Sequence, residues 1–265
     1  MKLRVAVLTS GPTGNTGNVV ARIADLPNVE IVCLIVSDES DFRGSKLKRL
    51  KKIAKIGLLG AANGYRIRSW FRLSSGVDAR DVAVARGIRQ VNVTKVNHVD
   101  TKQALLDCGA DLGISLCNGY IASWIFGIPK YGFINFHGEI LPDFPGGQSV
   151  IWPIYFGKAE TGLTIHRVAK GIDTGEIVFQ ERRPIRFQAS LRETVETTLA
   201  EAETRVPEAF ATLLSDWERH WDARRPNRTT RHFTTPTFWQ FLRMARNNRR
   251  LFRRADRVRS AWEPT

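Results

Sequence analysis

The strongest constraint on the fold is an alternation that runs through the first half of the chain. Short apolar runs rich in β-branched residues end in turn formers, and segments with helical spacing lie between them. Leu3-Arg4-Val5-Ala6-Val7-Leu8 stops at Thr9-Ser10-Gly11, and Glu30–Ser37 stops before Asp38. Between these runs, Asn15–Leu26 carries Val19, Val20, Ile23 and Ala24 at the spacing of one helix face. A helix over about 77–86, a strand at Gln90–Val93, a helix at Thr101–Asp107, and strands at Leu112–Cys117 and Tyr131–Phe136 continue the series. Strands apolar on both faces need cover on both sides, as parallel strands joined by helical crossovers have. The pattern predicts an α/β fold on a doubly wound, mostly parallel sheet.

After Gly162 the texture changes. Leu163–Val168 and Glu176–Ile185 read as longer strands joined by Gly171-Ile172-Asp173-Thr174-Gly175, and Leu191–Trp217 as a helical stretch interrupted at Pro207. Past Arg224 a loop leads to a basic amphipathic segment from Thr237 to Val258. These boundaries predict an α/β domain over 1–223, with a basic helical insert at about 43–72, and a basic helical C-terminal extension over 224–265.

The net charge of +14 is concentrated. Arg43–Arg72 holds ten basic residues and no acidic one, Arg224–Arg259 holds twelve arginines and one acid, Asp256, and the remainder is net acidic. Diffuse charge would suggest nucleic acid; two basic elements point to a local role for each. Leu47, Leu50, Ile53 and Ile56 recur among the lysines at helical spacing, as Phe238, Phe241, Leu242, Ala245 and Phe252 do among the arginines. Such stripes fit solvated helices packed on the body, or a cationic surface on anionic lipid, better than base stacking on RNA. Cys33, Cys108 and Cys117 are odd in number and form no C-x-x-C pair, against a disulfide scaffold or a thiolate zinc site. The start of the chain lacks the apolar core of a signal peptide, and no apolar run reaches the length of a membrane span. A cytoplasmic protein is expected, with peripheral contact at the inner face of the membrane as a second reading.

Gly11-Pro12-Thr13-Gly14-Asn15-Thr16-Gly17 follows the first strand and opens a helix. It reads either as a plain turn needing glycine or as an anion cradle. Its G-x-x-G-x-x-G spacing is not that of a dinucleotide site, although Asp38 follows the second strand where a ribose-binding acid would sit. Asn135-Phe136-His137 ends a strand, so Asn135 and His137 share a side with Phe136 opposite. Ligands of open α/β sheets bind at such strand ends, where an amide and an imidazole could polarise a carbonyl and handle a proton. A hydrogen-bonded structural histidine is the plain alternative. Asp173 fits a turn former or an acid that orients an imidazole, and His166, alternating with apolar neighbours, reads as structural. No histidine has metal-ligand spacing, and no metal is expected.

The run INFHGEILPDFPGG followed by TGLTIHRVAKGIDTGEIV resembles the signature of the N10-formyltetrahydrofolate-dependent formyltransferase family, over about Leu3–Phe210 and most strongly over 112–180. That family includes glycinamide ribonucleotide, methionyl-tRNA and nucleotide-sugar formyltransferases. The resemblance implies a Rossmann-like formyltransferase fold, N10-formyltetrahydrofolate as formyl donor and a primary amine as acceptor. It implies a catalytic set of Asn135, His137 and Asp173, in which the amide meets the formyl oxygen and the other two handle the amine proton. It also implies a folate pocket of Asn118, Gly119, Tyr120, Ile121, Leu141, Pro142 and Ile172, and an acceptor side of Ser10, Gly11, Gly14, Asn15, Gln148 and Trp152. Trp152 fits the pattern of sugar formyltransferases, although the usual proline before it is missing. The basic residues after 223 are too few for the barrel-type domain of a methionyl-tRNA enzyme. An amino sugar, nucleotide-linked or lipid-linked, is therefore the expected acceptor. A formyltetrahydrofolate hydrolase using the same residues on water, a nicotinamide dehydrogenase and a non-catalytic basic adaptor for nucleic acid or membrane are the rival readings. Nucleic acid is not the expected partner, and a homodimer stays open.

Overall fold

The computed structural model describes residues 1–39, 46–71, 76–229 and 231–260; the ends of the basic insert, Arg43 and Arg72, lie outside them. Among the described residues the strands are β1 (Leu3–Thr9), β2 (Val29–Glu39), β3 (Gln90–Lys95), β4 (Leu112–Leu116), β5 (Phe133–His137), β6 (Glu160–Arg167) and β7 (Ile177–Pro184). They form one sheet in the order β3-β2-β1-β4-β5-β6-β7. The strands from β3 to β5 are parallel, and β6 and β7 extend the sheet antiparallel. The helices are α1 (Asn15–Ala24), α2 (Lys46–Trp70), α3 (Ala79–Ala85), α4 (Val99–Cys108), α5 (Ser123–Phe126), α6 (Ile151–Tyr155), α7 (Leu191–Ser215), α8 (Trp217–Asp222) and α9 (Phe238–Ser260).

The two-residue period of a strand explains the layers. Val5 and Val7 of β1 face a core with Val19 and Ile23 of α1 and Phe210 and Leu214 of α7. Ala6 and Leu8 face the other side, with Ala104 and Leu105 of α4 and Ile125 of α5. Each large apolar side chain so buried contributes about 1.5–3 kcal/mol. A third core joins elements far apart in sequence: Ile67 and Trp70 of α2, Ile151 and Trp152 of α6, Val195 of α7, and Phe241 and Met244 of α9. The two basic segments therefore pack against each other, with Trp70 and Phe241 ring centroids 6.2 Å apart. Within α2, Gly57 has φ 76° and kinks the helix.

Two readings change. α7 runs through Pro207 without a break, opening on a reciprocal cap between Ser190 and Glu193. Proline inside a helix costs about 3 kcal/mol, but Val195 and Val206 before it and Phe210 after it are anchored in two different cores. Cys117, placed in a buried strand by its apolar run, is exposed just past the end of β4.

Candidate active site

β1 pairs with β2 on one edge and with β4 on the other, so the crossovers diverge from it and leave a crevice at the carboxyl ends of the strands. A cleft of about 320 Å³ lies there. One wall is Asn118–Ile121, after β4. Asn118 donates to Leu8 O (2.6 Å) and Ser115 Oγ (3.0 Å) and accepts from Ser10 Oγ (2.9 Å). Asn97 closes the same wall, donating to Tyr120 O (2.8 Å) and accepting from Ala122 N–H (2.7 Å).

The floor and opposite wall are Asn135, His166 and the turn from Val168 to Asp173. Asn135 and His166 are opposite each other in the antiparallel β5–β6 register, which brings their side chains to one face. Asp173 adopts φ 53°, and its Oδ2 accepts from Gly146 N–H at 2.9 Å. That oxygen lies 3.6 Å from His137 Nδ1, and Oδ1 lies 3.7 Å from His166 Nε2, so one carboxylate sits between two imidazoles. His137 is 8% exposed and lies behind Asp173 rather than on the cleft wall. Its Nε2 is 2.8 Å from Phe144 O. A carbonyl only accepts, so Nε2 carries the proton and Nδ1 faces the carboxylate.

His166, read as structural, also lines the cleft. Its Nδ1 is 2.8 Å from Arg167 O and so carries the proton, while Nε2 is buried without a hydrogen-bond partner. Burial holds the imidazole below its ordinary pKa of 6.5, and His137 adds to that; the Arg167 carbonyl and Asp173 pull the other way. Near pH 7 the ring is neutral, with its Nε2 3.7 Å from Asp173 Oδ1. The alternation that suggested a core residue is real for Leu163 and Ile165, but it puts His166 on the other face, opposite Asn135.

The loops around the cleft are held from behind. Glu139, 2% exposed, accepts from Val150 N–H, from Thr161 Oγ at 2.8 Å and from Ile140 N–H at 3.3 Å. Burial pushes its pKa up to about 7 against those three donors. The extension contributes too. Asn227 donates to Asp173 O (2.7 Å) and Gly175 O (3.1 Å) and accepts from Thr229 Oγ (2.6 Å). Phe233 N–H donates to Pro145 O (2.9 Å), and Phe233 O accepts from Gly147 N–H (3.2 Å). Only glycine fits at 146, where φ is 99° and a Cβ would lie 2.3 Å from Phe233 O.

Of the expected folate residues, Asn118, Gly119, Tyr120, Ile121 and Ile172 line the cleft with Asn135 and Asp173. Leu141 and Pro142 do not. Leu141 is turned into the core, its N–H donating to Thr164 Oγ (3.2 Å) and its carbonyl accepting from Gln180 (2.8 Å), while Pro142 is exposed. Of the acceptor residues, Ser10 joins the cleft through Asn118, and a Cβ on Gly11 would lie 3.1 Å from Cys117 Cβ. Gly14 precedes α1, and Asn15 lies in a separate depression between α1 and α7. Gly17 serves packing, since a Cβ there would lie 1.9 Å from Val77 O. Gln148 donates to Thr235 Oγ (3.4 Å). Trp152 is 5% exposed, with its indole N–H on Thr234 O (3.2 Å) and its ring against Phe233, so it anchors a loop rather than facing the cleft. Among the described residues no group of three or more His, Cys, Asp or Glu could hold a metal ion.

A family model described as formyl transferase matches residues 3–209. The methionyl-tRNA formyltransferase of Deinococcus radiodurans is 36% identical over 90 residues, 34% of this chain and 28% of that protein. That of Trichodesmium erythraeum is 36% identical over 108 residues, 40% of this chain and 32% of that protein. The alignments thus span about a third of the curated relatives' length. Among solved structures, glycinamide ribonucleotide transformylase 1 from Geobacillus kaustophilus superposes with a TM-score of 0.53 at 22% identity, covering 81% of this chain and all of that one. A formyltetrahydrofolate deformylase from Pseudomonas syringae gives 0.56 at 15% identity, covering 84% of this chain and 62% of that one. These two show the shared fold.

Proposed function

This chain belongs to the formyl transferase family, and from that premise we propose that it moves a formyl group from N10-formyltetrahydrofolate to a primary amine. The observation that carries the reading is the Asp173 carboxylate set between His137 and His166, beside Asn135 at the end of β5. The cleft suits the donor: Ile121, Val168 and Ile172 supply apolar wall, Asn135 an amide, and His166 a buried ring nitrogen with no partner of its own. The bound donor supplies the activated formyl carbonyl. Asn135 donates to the formyl oxygen as it gains negative charge, a role whose loss typically costs about 10²–10³ in rate. Asp173, with neutral His166 beside it on the cleft, takes the proton that the attacking amine sheds and returns it to N10 as the bond between that nitrogen and the formyl carbon breaks, which releases tetrahydrofolate. His137 keeps its Nε2–H on Phe144 O and stands behind Asp173, where a second proton, on Nδ1, would make it a donor toward the carboxylate oxygen 3.6 Å away.

For the acceptor we propose an amino sugar, nucleotide-linked or lipid-linked, in the cytoplasm. The sequence pattern from Gly146 to Trp152 supports that class, and Trp152 serves it by fixing the loop. The test is a formyl-transfer assay over a panel of nucleotide-linked amino sugars, lipid-linked amino sugars, glycinamide ribonucleotide and methionyl-tRNA, following free tetrahydrofolate. Formylated amino sugar is the expected product. Tetrahydrofolate release without any acceptor would instead establish the hydrolase, and formylation of another panel member would replace the acceptor.

A further inference from the structure

We infer that the layer formed by α2 and α9 is a docking surface for an anionic lipid bilayer. The formyl-transfer chemistry does not require this layer, and the two readings stand or fall separately. α2 carries eight Lys and Arg and no acidic residue, and α9 carries six Arg before its first acid, Asp256. The helices share one inner face: Arg66 lies over the Phe241 ring at 4.8 Å, and a Cβ on Gly64 would lie 2.4 Å from Thr235 Cγ2.

Their outer faces are not what a merely solvated cationic helix presents. Leu58 is 81% exposed, Leu59 61%, Tyr65 78%, Trp239 76% and Leu242 43%. Leu58 and Tyr65 are seven residues apart and so share one side of α2. Trp239, Leu242, Arg246, Arg249 and Arg253 follow the helical repeat along α9, opposite Met244 and Asn248, which are fully buried. Large apolar side chains thus stand open to solvent on two helices that together account for the chain's net positive charge.

Charge selects the occupant. A second copy of this chain would set arginine against arginine. RNA would engage the cations but gain little from Leu58, Leu59 and Leu242. A bilayer with anionic headgroups answers both features at once, because lysine and arginine meet the headgroups while Trp, Tyr and Leu enter the interface.

The test uses the full chain and co-sedimentation with vesicles of phosphatidylcholine alone or mixed equally with phosphatidylglycerol. Binding should be at least about tenfold stronger to the anionic vesicles and weaken between about 0.1 and 0.5 M salt. The double variant Leu58→Ser, Trp239→Ser should bind them at least about tenfold less, with solution turnover unchanged within about twofold. Should that variant misfold, quenching by bromine-labelled phosphatidylglycerol, compared between the wild type and Trp239→Phe, reads the same insertion. Absence of binding to anionic vesicles would overturn the inference. So would binding that both substitutions leave intact with no quenching of Trp239, or a mixed-sequence RNA that displaces the vesicles while binding the double variant equally well.

Discussion

Each wall of the cleft is clamped by an asparagine, and the two clamps come from different parts of the chain. Asn97 grips Tyr120 O and Ala122 N–H on the wall after β4, and lies within the span shared with the family. Asn227 grips Asp173 O and Gly175 O on the opposite wall, and lies beyond that span. The first wall is held by its own parallel core, through Leu8, Ser10 and Ser115. The second depends on an added segment to satisfy the carbonyls around its carboxylate, and an unpaired buried polar group costs about 1–3 kcal/mol. The shared domain supplies the proposed reactive side chains, and the extension holds the backbone of one of them, Asp173.

The largest effect expected from breaking this arrangement lies at the carboxylate itself. Asp173→Asn, Asn135→Ala and His137→Ala should each lower turnover by at least about 10², with folate affinity within about tenfold, because their roles belong to the transition state. Steady-state kinetics with a verified acceptor checks this, and near wild-type turnover in any of the three removes that residue from the set. The clamps come next and should separate. Asn227→Ala should lower kcat about tenfold with KM for the folate nearly constant, since it releases Asp173, whereas Asn97→Ala should raise that KM several-fold with kcat nearly constant. Equal effects on both parameters in both variants would dissolve the contrast between the walls.

The Asp173 wall also carries titrating groups. Protonation would fill the His166 Nε2 lone pair, and burial places that event below pH 6.5. Rate should therefore fall on the acid side, at a pH below that of an ordinary imidazole, and His166→Asn should remove that acid limb while lowering the plateau. An identical acid limb in wild type and variant would assign it elsewhere. The smallest effect concerns Glu139. Its pKa is raised from 4.5 to about 7, so between those values the folded protein holds a proton that the unfolded chain has released. Stability from this group is therefore highest at low pH, falls as pH rises from about 4.5 to 7, and levels off above. Glu139→Gln should flatten that segment of a Tm-against-pH curve; an unchanged slope would put the pH dependence on other groups.

Much of the scaffold was legible because it is local. The apolar runs of β1, β2 and β4 are continuous since both faces of those strands are buried, and the Asn135-Phe136-His137 spacing places two candidate side chains on one face by the strand repeat alone. Side-chain orientation was not legible in this way. Trp152 sits where an acceptor-facing residue was expected, yet its indole N–H finds Thr234 O, 82 positions away, and the ring turns inward.

The order of apolar runs and the doubly wound sheet follow from the sequence by itself, because period and turn chemistry act between neighbours along the chain; the grouping of Asn135, His137 and Asp173 came from the resemblance to a family. Tertiary structure alone decided that His166 faces Asn135, that His137 stands behind Asp173, and that Asn227 closes the turn. It also decided that two basic helices nearly two hundred residues apart form one layer. The reason is physical: a buried carbonyl or ring nitrogen must find a partner, but many distant donors are chemically equivalent until packing brings one of them within hydrogen-bond reach.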